Sequence, residues 1–182
     1  MASCTCPADA EGIGGLDVSP NGRRLATCGT VPQIIIWNMQ PILDEAAEQD
    51  ETVPKLLAIL NEHASQSSVL TVKFSNKGTF LASGSTDYGV LVYRQLATAA
   101  TGQRMGQQIK FNNVENWRMV GSLRRHTMDV TALSWSMDDL LLASSSMDQN
   151  IIIWSISAGG LGLWWCWWGQ QLPWGSAGGT RP

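Results

Sequence analysis

The sequence predicts an all-β protein, a β-propeller of about three four-stranded blades with the third left incomplete. Two observations carry this expectation. First, a block of 25 residues occurs three times without a gap, at 13–37, 69–93 and 130–154. Each copy is one supersecondary unit whose apolar face needs neighbours of its own kind. Second, within each copy short apolar runs alternate with turn residues at strand spacing rather than helix spacing.

The third copy shows the elements in order. In 130–136, Val130, Ala132 and Ser134 alternate with Thr131, Leu133 and Trp135, with the β-branched and aromatic content that a pleated strand favours. A tight turn follows at Met137-Asp138-Asp139, matched by Asn76-Lys77-Gly78 and Pro20-Asn21-Gly22 in the other copies. The second strand carries Leu142-Ala143-Ser144, in line with Leu81-Ala82-Ser83 and Leu25-Ala26-Thr27. After a second turn comes a buried third strand, Ile151-Ile152-Ile153-Trp154, matched by Val90-Leu91-Val92-Tyr93 and Ile34-Ile35-Ile36-Trp37. Candidates for the fourth strand are Lys55 to Leu60 and Arg118 to Leu123, and four short antiparallel strands make a propeller blade. The blades are therefore placed at 13–62, 63–125 and 126–157, within a partial propeller at 13–157.

Composition narrows the function classes. With 182 residues and 44% apolar content the chain can build a real core. A net charge of −3 disfavours direct nucleic-acid binding by the body of the protein, so any DNA contact is expected to be indirect. The four cysteines, Cys4, Cys6, Cys28 and Cys166, show neither a disulfide framework nor zinc-type spacing, which fits a reducing compartment. No cofactor or metal is expected, and residues 1–12 carry no secretory signal.

The pattern resembles the WD-repeat family, whose units carry a histidine before the first strand, an aspartate in the second turn and a tryptophan closing the third strand. His126, Asp148 and Trp154 match, as do His63, Asp87 and Tyr93 with tyrosine in the last place. The first copy has Trp37, but Val31 stands where the aspartate belongs, and no histidine precedes it. The resemblance implies seven blades, of which about three are present here. These residues are expected to form a structural network, in which the aspartate accepts from imidazole, imidazole engages Ser144 or Ser83, and that hydroxyl reaches the indole. The same residue types make a hydrolase triad, but active sites do not normally recur at equivalent positions along one chain, so no enzyme is read.

Both spacings exceed the roughly 40 to 45 residues of a standard unit, because extra sequence enters after the aromatic at 38–54 and 94–117. The two insertions are expected on one rim. The first holds Asp44, Glu45, Glu48, Asp50 and Glu51, either a solvated acidic loop or a docking surface for a basic partner such as a histone. The second is read as a flexible polar loop until Asn113-Val-Glu-Asn-Trp117 brings the chain back to the sheet, and Arg124-Arg125 as an ordinary strand end.

These inserted segments, Trp37-Asn-Met-Gln-Pro-Ile-Leu-Asp-Glu, Asp50-Glu-Thr-Val-Pro-Lys-Leu-Leu and Asn113-Val-Glu-Asn-Trp117 onward, resemble the amino-terminal propeller of HIRA/Hir-type histone chaperone subunits. That resemblance implies a nuclear, non-catalytic docking platform in replication-independent nucleosome assembly and transcriptional repression, with chaperone subunits and histones as partners. The alternatives are the small WD-repeat subunit of chromatin assembly factor 1, or a generic scaffold of a ubiquitin-ligase or signalling complex.

Neither end continues the pattern. Residues 1–12 are divergent, and 158–182 form a Gly- and Trp-rich tail, expected to be disordered or to come from a mistranslated intron, a frameshift or an alternative product. No fourth strand is expected for the third blade, and the chain is read as a truncated fragment prone to self-association through unpaired edges. Residues 151–169 carry no charge over a length sufficient for a membrane span, yet the repeat register and four glycines argue against an anchor.

Overall fold

The computed structural model describes residues 12–96, 113–157 and 160–168. Among the described residues, twelve strands form three four-stranded antiparallel sheets. The first blade comprises β1 (Ile13–Val18), β2 (Arg24–Gly29), β3 (Ile34–Asn38) and β4 (Leu56–Leu60). The second comprises β5 (Val69–Phe74), β6 (Phe80–Ser85), β7 (Gly89–Leu96) and β8 (Asn116–Arg124). The third comprises β9 (Val130–Trp135), β10 (Leu141–Ser146), β11 (Asn150–Ser157) and β12 (Gly160–Trp168). Each sheet runs in chain order from inner to outer strand.

The repeat in sequence is a repeat in register. Leu25 faces Trp37, Leu81 faces Tyr93 and Leu142 faces Trp154 across the second and third strands. The pairing of third with fourth strand slips by one residue just before each aromatic, between Ile36 and Trp37, Val92 and Tyr93, and Ile153 and Trp154. A bulge in the same place adds the same local twist to every blade.

The first turn of each blade needs a residue in the left-handed region, and Gly22, Gly78 and Asp139 supply it at φ 69°, 69° and 63°. The second turn uses Tyr88 and Gln149 at φ 64° and 67°. Their counterpart in the first blade is Pro32, whose ring locks φ near −65°, so that blade cannot form the same turn.

The core lies between the blades rather than within one. Ala26, Cys28, Ile34 and Ile36 on one face of the first blade pack against Val69, Val72, Phe74 and Leu81 of the second. Ala82, Val90 and Val92 of the second blade pack in turn against Val130, Leu133, Leu142 and Ile152 of the third. Burial pushes the Cys28 thiol up to about 12, which leaves it a small apolar filler rather than a reactive group.

Two expectations are corrected. The third blade does have a fourth strand: Gly160–Trp168 pairs with β11 from Asn150↔Trp168 to Ser157↔Gly160. Backbone donors and acceptors on an outer strand accept any extended segment that reaches them, whatever its composition. Residues 158–159 and 169–182 of the tail lie outside the described residues, as do 1–11. Residues 151–157 and 160–168 are strands, and among the described residues no helix is long and apolar enough to cross a membrane.

The second insertion is also not loop throughout. Arg94, Gln95 and Leu96 pair with Arg118, Trp117 and Asn116 as a continuation of the β7–β8 hairpin, while 97–112 fall outside the described residues. Residues Asn113 to Glu115 then dock on the first blade. Val114 and Glu115 donate backbone N–H to the Leu57 carbonyl at 2.9 and 3.0 Å. The Asn113 side chain accepts from Ile59 N–H at 3.0 Å. This covers the outer edge of β4, which would otherwise present unpaired backbone groups.

Candidate functional site

Two kinds of place are candidates: the hydrogen-bonded network inside each blade and the rim built by the insertions. In the third blade the network is complete. His126, just before β9, reaches Asp148 in the β10–β11 turn, with Nδ1 2.9 Å from Oδ2. Its Nε2 lies 2.8 Å from the Ser144 hydroxyl on β10, and the Trp154 indole on β11 donates to that same oxygen at 2.8 Å.

One proton arrangement runs through the whole chain of contacts. An ionised carboxylate only accepts, so imidazole carries its proton on Nδ1; Nε2 then accepts from Ser144, which accepts from the indole. Asp148 Oδ2 also accepts from Thr127 N–H at 3.0 Å, and Oδ1 from Asn150 N–H at 2.9 Å. Burial opposes the Asp148 charge, but the Thr127 amide, His126 and the Asn150 amide hold the carboxyl below its ordinary range.

The second blade repeats the arrangement with one change. His63 Nδ1 is 3.3 Å from Asp87 Oδ2, and Nε2 is 2.7 Å from the Ser83 hydroxyl. Arg124, on the strand beside it, donates to the Asp87 carbonyl at 3.2 Å and to its carboxylate at 3.3 Å. Burial pulls His63 below its ordinary range, against the attraction of the Asp87 carboxylate.

Tyr93 fills the tryptophan position, and its ring is fully buried. Its hydroxyl lies near Ser83 and Glu62 yet, among the described residues, reaches no partner in hydrogen-bond geometry. Burial, with the Glu62 charge nearby, pushes that phenol well above its ordinary range. The first blade keeps one link of the network: Trp37 donates its indole N–H to Thr27 on β2 at 2.9 Å.

The hydroxyls of Ser83 and Ser144 are buried against their sheets, so no substrate carbonyl can approach them. What the arrangement can do is tie the loop before a blade and its second turn to the sheet.

On the rim, residues 38–54 fold into α1 (Gln40–Leu43) and α2 (Glu45–Gln49) between β3 and β4. Asp44 caps α2 by accepting from Ala46 N–H at 3.0 Å. Asp50 accepts from the Thr52 hydroxyl at 2.6 Å and its amide at 2.8 Å, and these bonds hold its carboxyl below the ordinary range. Glu48 and Glu51 are exposed beside them, and the backbone of Glu45 opens α2.

The end of the second insertion meets the first blade where Glu115 grips Arg24 at the start of β2. Arg24 Nε lies 2.9 and 2.8 Å from the two carboxylate oxygens and NH2 lies 2.7 Å from Oε1. This two-pronged pair has the geometry that makes an arginine–carboxylate bond directional.

Bonds between blades carry no motif and escaped the sequence reading. Asp139 of the third blade accepts from the Asn76 and Lys77 amides of the second at 2.7 and 2.8 Å. Asp17 of the first blade accepts from Lys73 Nζ at 2.7 Å and from Phe74 N–H at 2.8 Å. Trp135 donates to the Lys73 carbonyl at 3.1 Å and stacks on Phe80. The one available signal was Asp139 itself, an aspartate where the other copies have glycine.

The WD domain, G-beta repeat family matches residues 54–94 and 117–155. The chain contains WD repeats. Both matches span a His–Asp pair described above, and the WD repeats sit in the second and third blades with the strand that precedes each. Protein HIRA of Takifugu rubripes is 41% identical over 146 residues, 79% of this chain and 14% of that protein. Protein HIRA of Homo sapiens is 38% identical over the same length, and Protein HIR1 of Cryptococcus neoformans is 40% identical over 142 residues, 78% of this chain and 16% of that protein. These WD-repeat alignments are longer than the two repeat matches combined, so the likeness extends beyond the repeats themselves. The chain thus spans 12–14% of the length of the HIRA proteins it matches. Among solved structures, a crystal structure of RRP9 WD40 repeats superposes with TM-score 0.64 at 18% identity, covering 91% of this chain and 41% of that one. A structure of U3-55K gives the same score and identity. That likeness shows the propeller fold.

Proposed function

We propose that this chain is a non-catalytic, protein-binding scaffold of HIRA type, acting in the nucleus within a histone chaperone complex that assembles nucleosomes outside replication and represses transcription. The observation that carries this reading is the 38–41% identity to HIRA proteins over 146 residues. A propeller supplies rigid rims rather than a cleft with a nucleophile, and in this chain the residue types of a hydrolase serve as buried ties. The five carboxylates of the first insertion, Asp44, Glu45, Glu48, Asp50 and Glu51, are the part of the rim suited to a basic partner such as a histone. Asp44 and Asp50 are also engaged in local turns, which leaves Glu48 and Glu51 as the residues to test.

The decisive experiment is affinity capture with the full chain from nuclear extract, followed by identification of bound proteins. Histone-chaperone subunits are expected. Recovery of ubiquitin-ligase or signalling components instead would replace this reading with the generic scaffold. Glu48→Lys with Glu51→Lys is expected to weaken capture of histones without altering the circular dichroism of the chain; undiminished capture removes the acidic rim from the account.

A further inference from the structure

The outer edge of one blade already serves within this chain as a template for added backbone. On the first blade the Leu57 carbonyl accepts from Val114 and Glu115 N–H at 2.9 and 3.0 Å, and Ile59 N–H donates to the Asn113 side chain at 3.0 Å. Leu57 is the extra residue at the bulge where β4 slips against β3, and under this cover it is 7% exposed.

The second blade repeats these groups without the cover. Its bulge lies at the matching place on β8, where Val120 is the extra residue and Ser122 takes the position of Ile59. Val120 is 46% exposed, and among the described residues no segment bonds to this edge from outside the sheet. Strand β8 is the outermost strand of the middle blade. Its free edge lies in the plane of its own sheet, not on the faces that stack against other blades.

The side chains beside this edge define the occupant. Phe80, Arg94 and Arg118 stand directly opposite one another across three strands. Arg94 lies over the Phe80 ring at 5.9 Å, and both arginines are exposed. Like charges directly opposite each other cost stability, and among the described residues no carboxylate lies within ion-pair distance of either arginine. A fifth strand would extend that row by one position, where a carboxylate offsets both charges. Met119, the next residue of β8, turns to the opposite face and is 44% exposed, so the adjacent residue of an added strand meets an apolar neighbour.

We infer that the outer edge of β8 takes an extended segment of a partner protein as a fifth strand, one in which acidic and apolar residues alternate. Main-chain bonds to the Val120 carbonyl and the Ser122 N–H supply the attachment, and the carboxylate beside Arg118 sets register and specificity. The inference does not rest on the chaperone reading, because it uses only the bulge geometry and the row of Arg94 and Arg118.

Fluorescence anisotropy on the full chain tests it, with labelled acetyl-Val-Glu-Val-Glu-Val-Glu-Val-amide as the probe. The expected result is saturable binding that slows amide hydrogen exchange at Ser122. Methylating the backbone nitrogens of the probe leaves its charges in place and is expected to abolish binding. Arg118→Glu is expected to weaken the acidic probe about ten-fold or more and to bind instead a probe with Lys in place of Glu. The variant sets opposite charges across β7 and β8, so its near-ultraviolet circular dichroism should match the parent. Undiminished binding of the methylated probe would reduce the contact to charge attraction, and acidic-probe binding indifferent to Arg118→Glu would detach the arginine row from it. Slow exchange at Ser122 in the free chain, at any concentration, would show the edge filled by this chain or a second copy. Each of these results overturns the inference, as does an acidic probe that fails to bind.

Discussion

Replacing Asp148 by alanine isolates the tie that holds the third blade's loops to its sheet. The substitution removes the acceptor of three donors: His126 Nδ1–H at 2.9 Å, Thr127 N–H at 3.0 Å and Asn150 N–H at 2.9 Å. They are not equal in consequence. The His126 ring is buried with 0% side-chain exposure, so its proton is stranded, which costs about 1–3 kcal/mol. Thr127 is exposed and water can replace its partner, so each backbone donor adds about 0.5 kcal/mol, the lower end of a net hydrogen bond. The total is roughly 2–4 kcal/mol, which for a chain of this size corresponds to a fall in Tm of roughly 5–15 °C. Thermal and urea unfolding followed by tryptophan fluorescence and circular dichroism measure it. Ser144→Ala and the double variant complete a cycle, in which a coupling of about 0.5–3 kcal/mol is expected of residues sharing one network. An Asp148→Ala loss below about 0.5 kcal/mol, within the range of ordinary surface substitutions, would refute the reasoning.

Gly84→Ala places a methyl 2.6 Å from Val130 Cγ1 and 2.9 Å from Thr71 Cγ2, so it is expected to separate the second and third blades and cost about 1–3 kcal/mol; denaturant unfolding that matches the parent contradicts that packing. Acidification should weaken the second blade, because His63 is held below its ordinary value of 6.5 while the unfolded chain takes the proton there. Its contribution is complete above that pH and lost as pH falls through the folded value, so the urea midpoint at about pH 5.5 should lie below that at about pH 7.5, with a smaller difference in His63→Gln. Tyr93→Phe removes a buried hydroxyl that reaches no partner and should leave stability unchanged or raised, a result read from the same unfolding curves. A clear loss would mean the hydroxyl is bonded in solution.

Much of the architecture was legible because three copies could be compared. Strand order, the two tight turns and the pairing of Leu142 with Trp154 follow from alternation and turn residues, which act locally. The partners of His126 and His63 followed from the WD resemblance, with Ser144 and Ser83 each on the second strand. The weakness of the first blade was legible as Val31, and its physical reason is completed by Pro32, which forbids the left-handed turn found at Tyr88 and Gln149.

What the sequence hid depends on backbone groups or on neighbouring blades. Gly160–Trp168 looks unlike a strand because Gly and Trp runs carry no alternation, yet ladder bonds to β11 require only an extended backbone. Asn113 to Glu115 dock on β4 through amides across 54 residues of sequence separation at Ile59, and no side-chain pattern announces such a contact. Asp139 trades a backbone conformation that favours glycine for bonds to the next blade, a compensation visible only when both blades are in place.

The claim on which the rest stands is that the three repeats stack face to face in chain order. Nuclear Overhauser contacts on the isotopically labelled chain test it most directly, at two glycines where backbone and neighbour approach closely. A Cβ at Gly15 would lie 3.3 Å from Thr71 Cα, and one at Gly84 lies closest to Val130, so contacts from Gly15 Hα to Thr71 and from Gly84 Hα to the Val130 methyls are expected. Intact strand pairing within each repeat, with neither contact between repeats, would contradict the stacked arrangement.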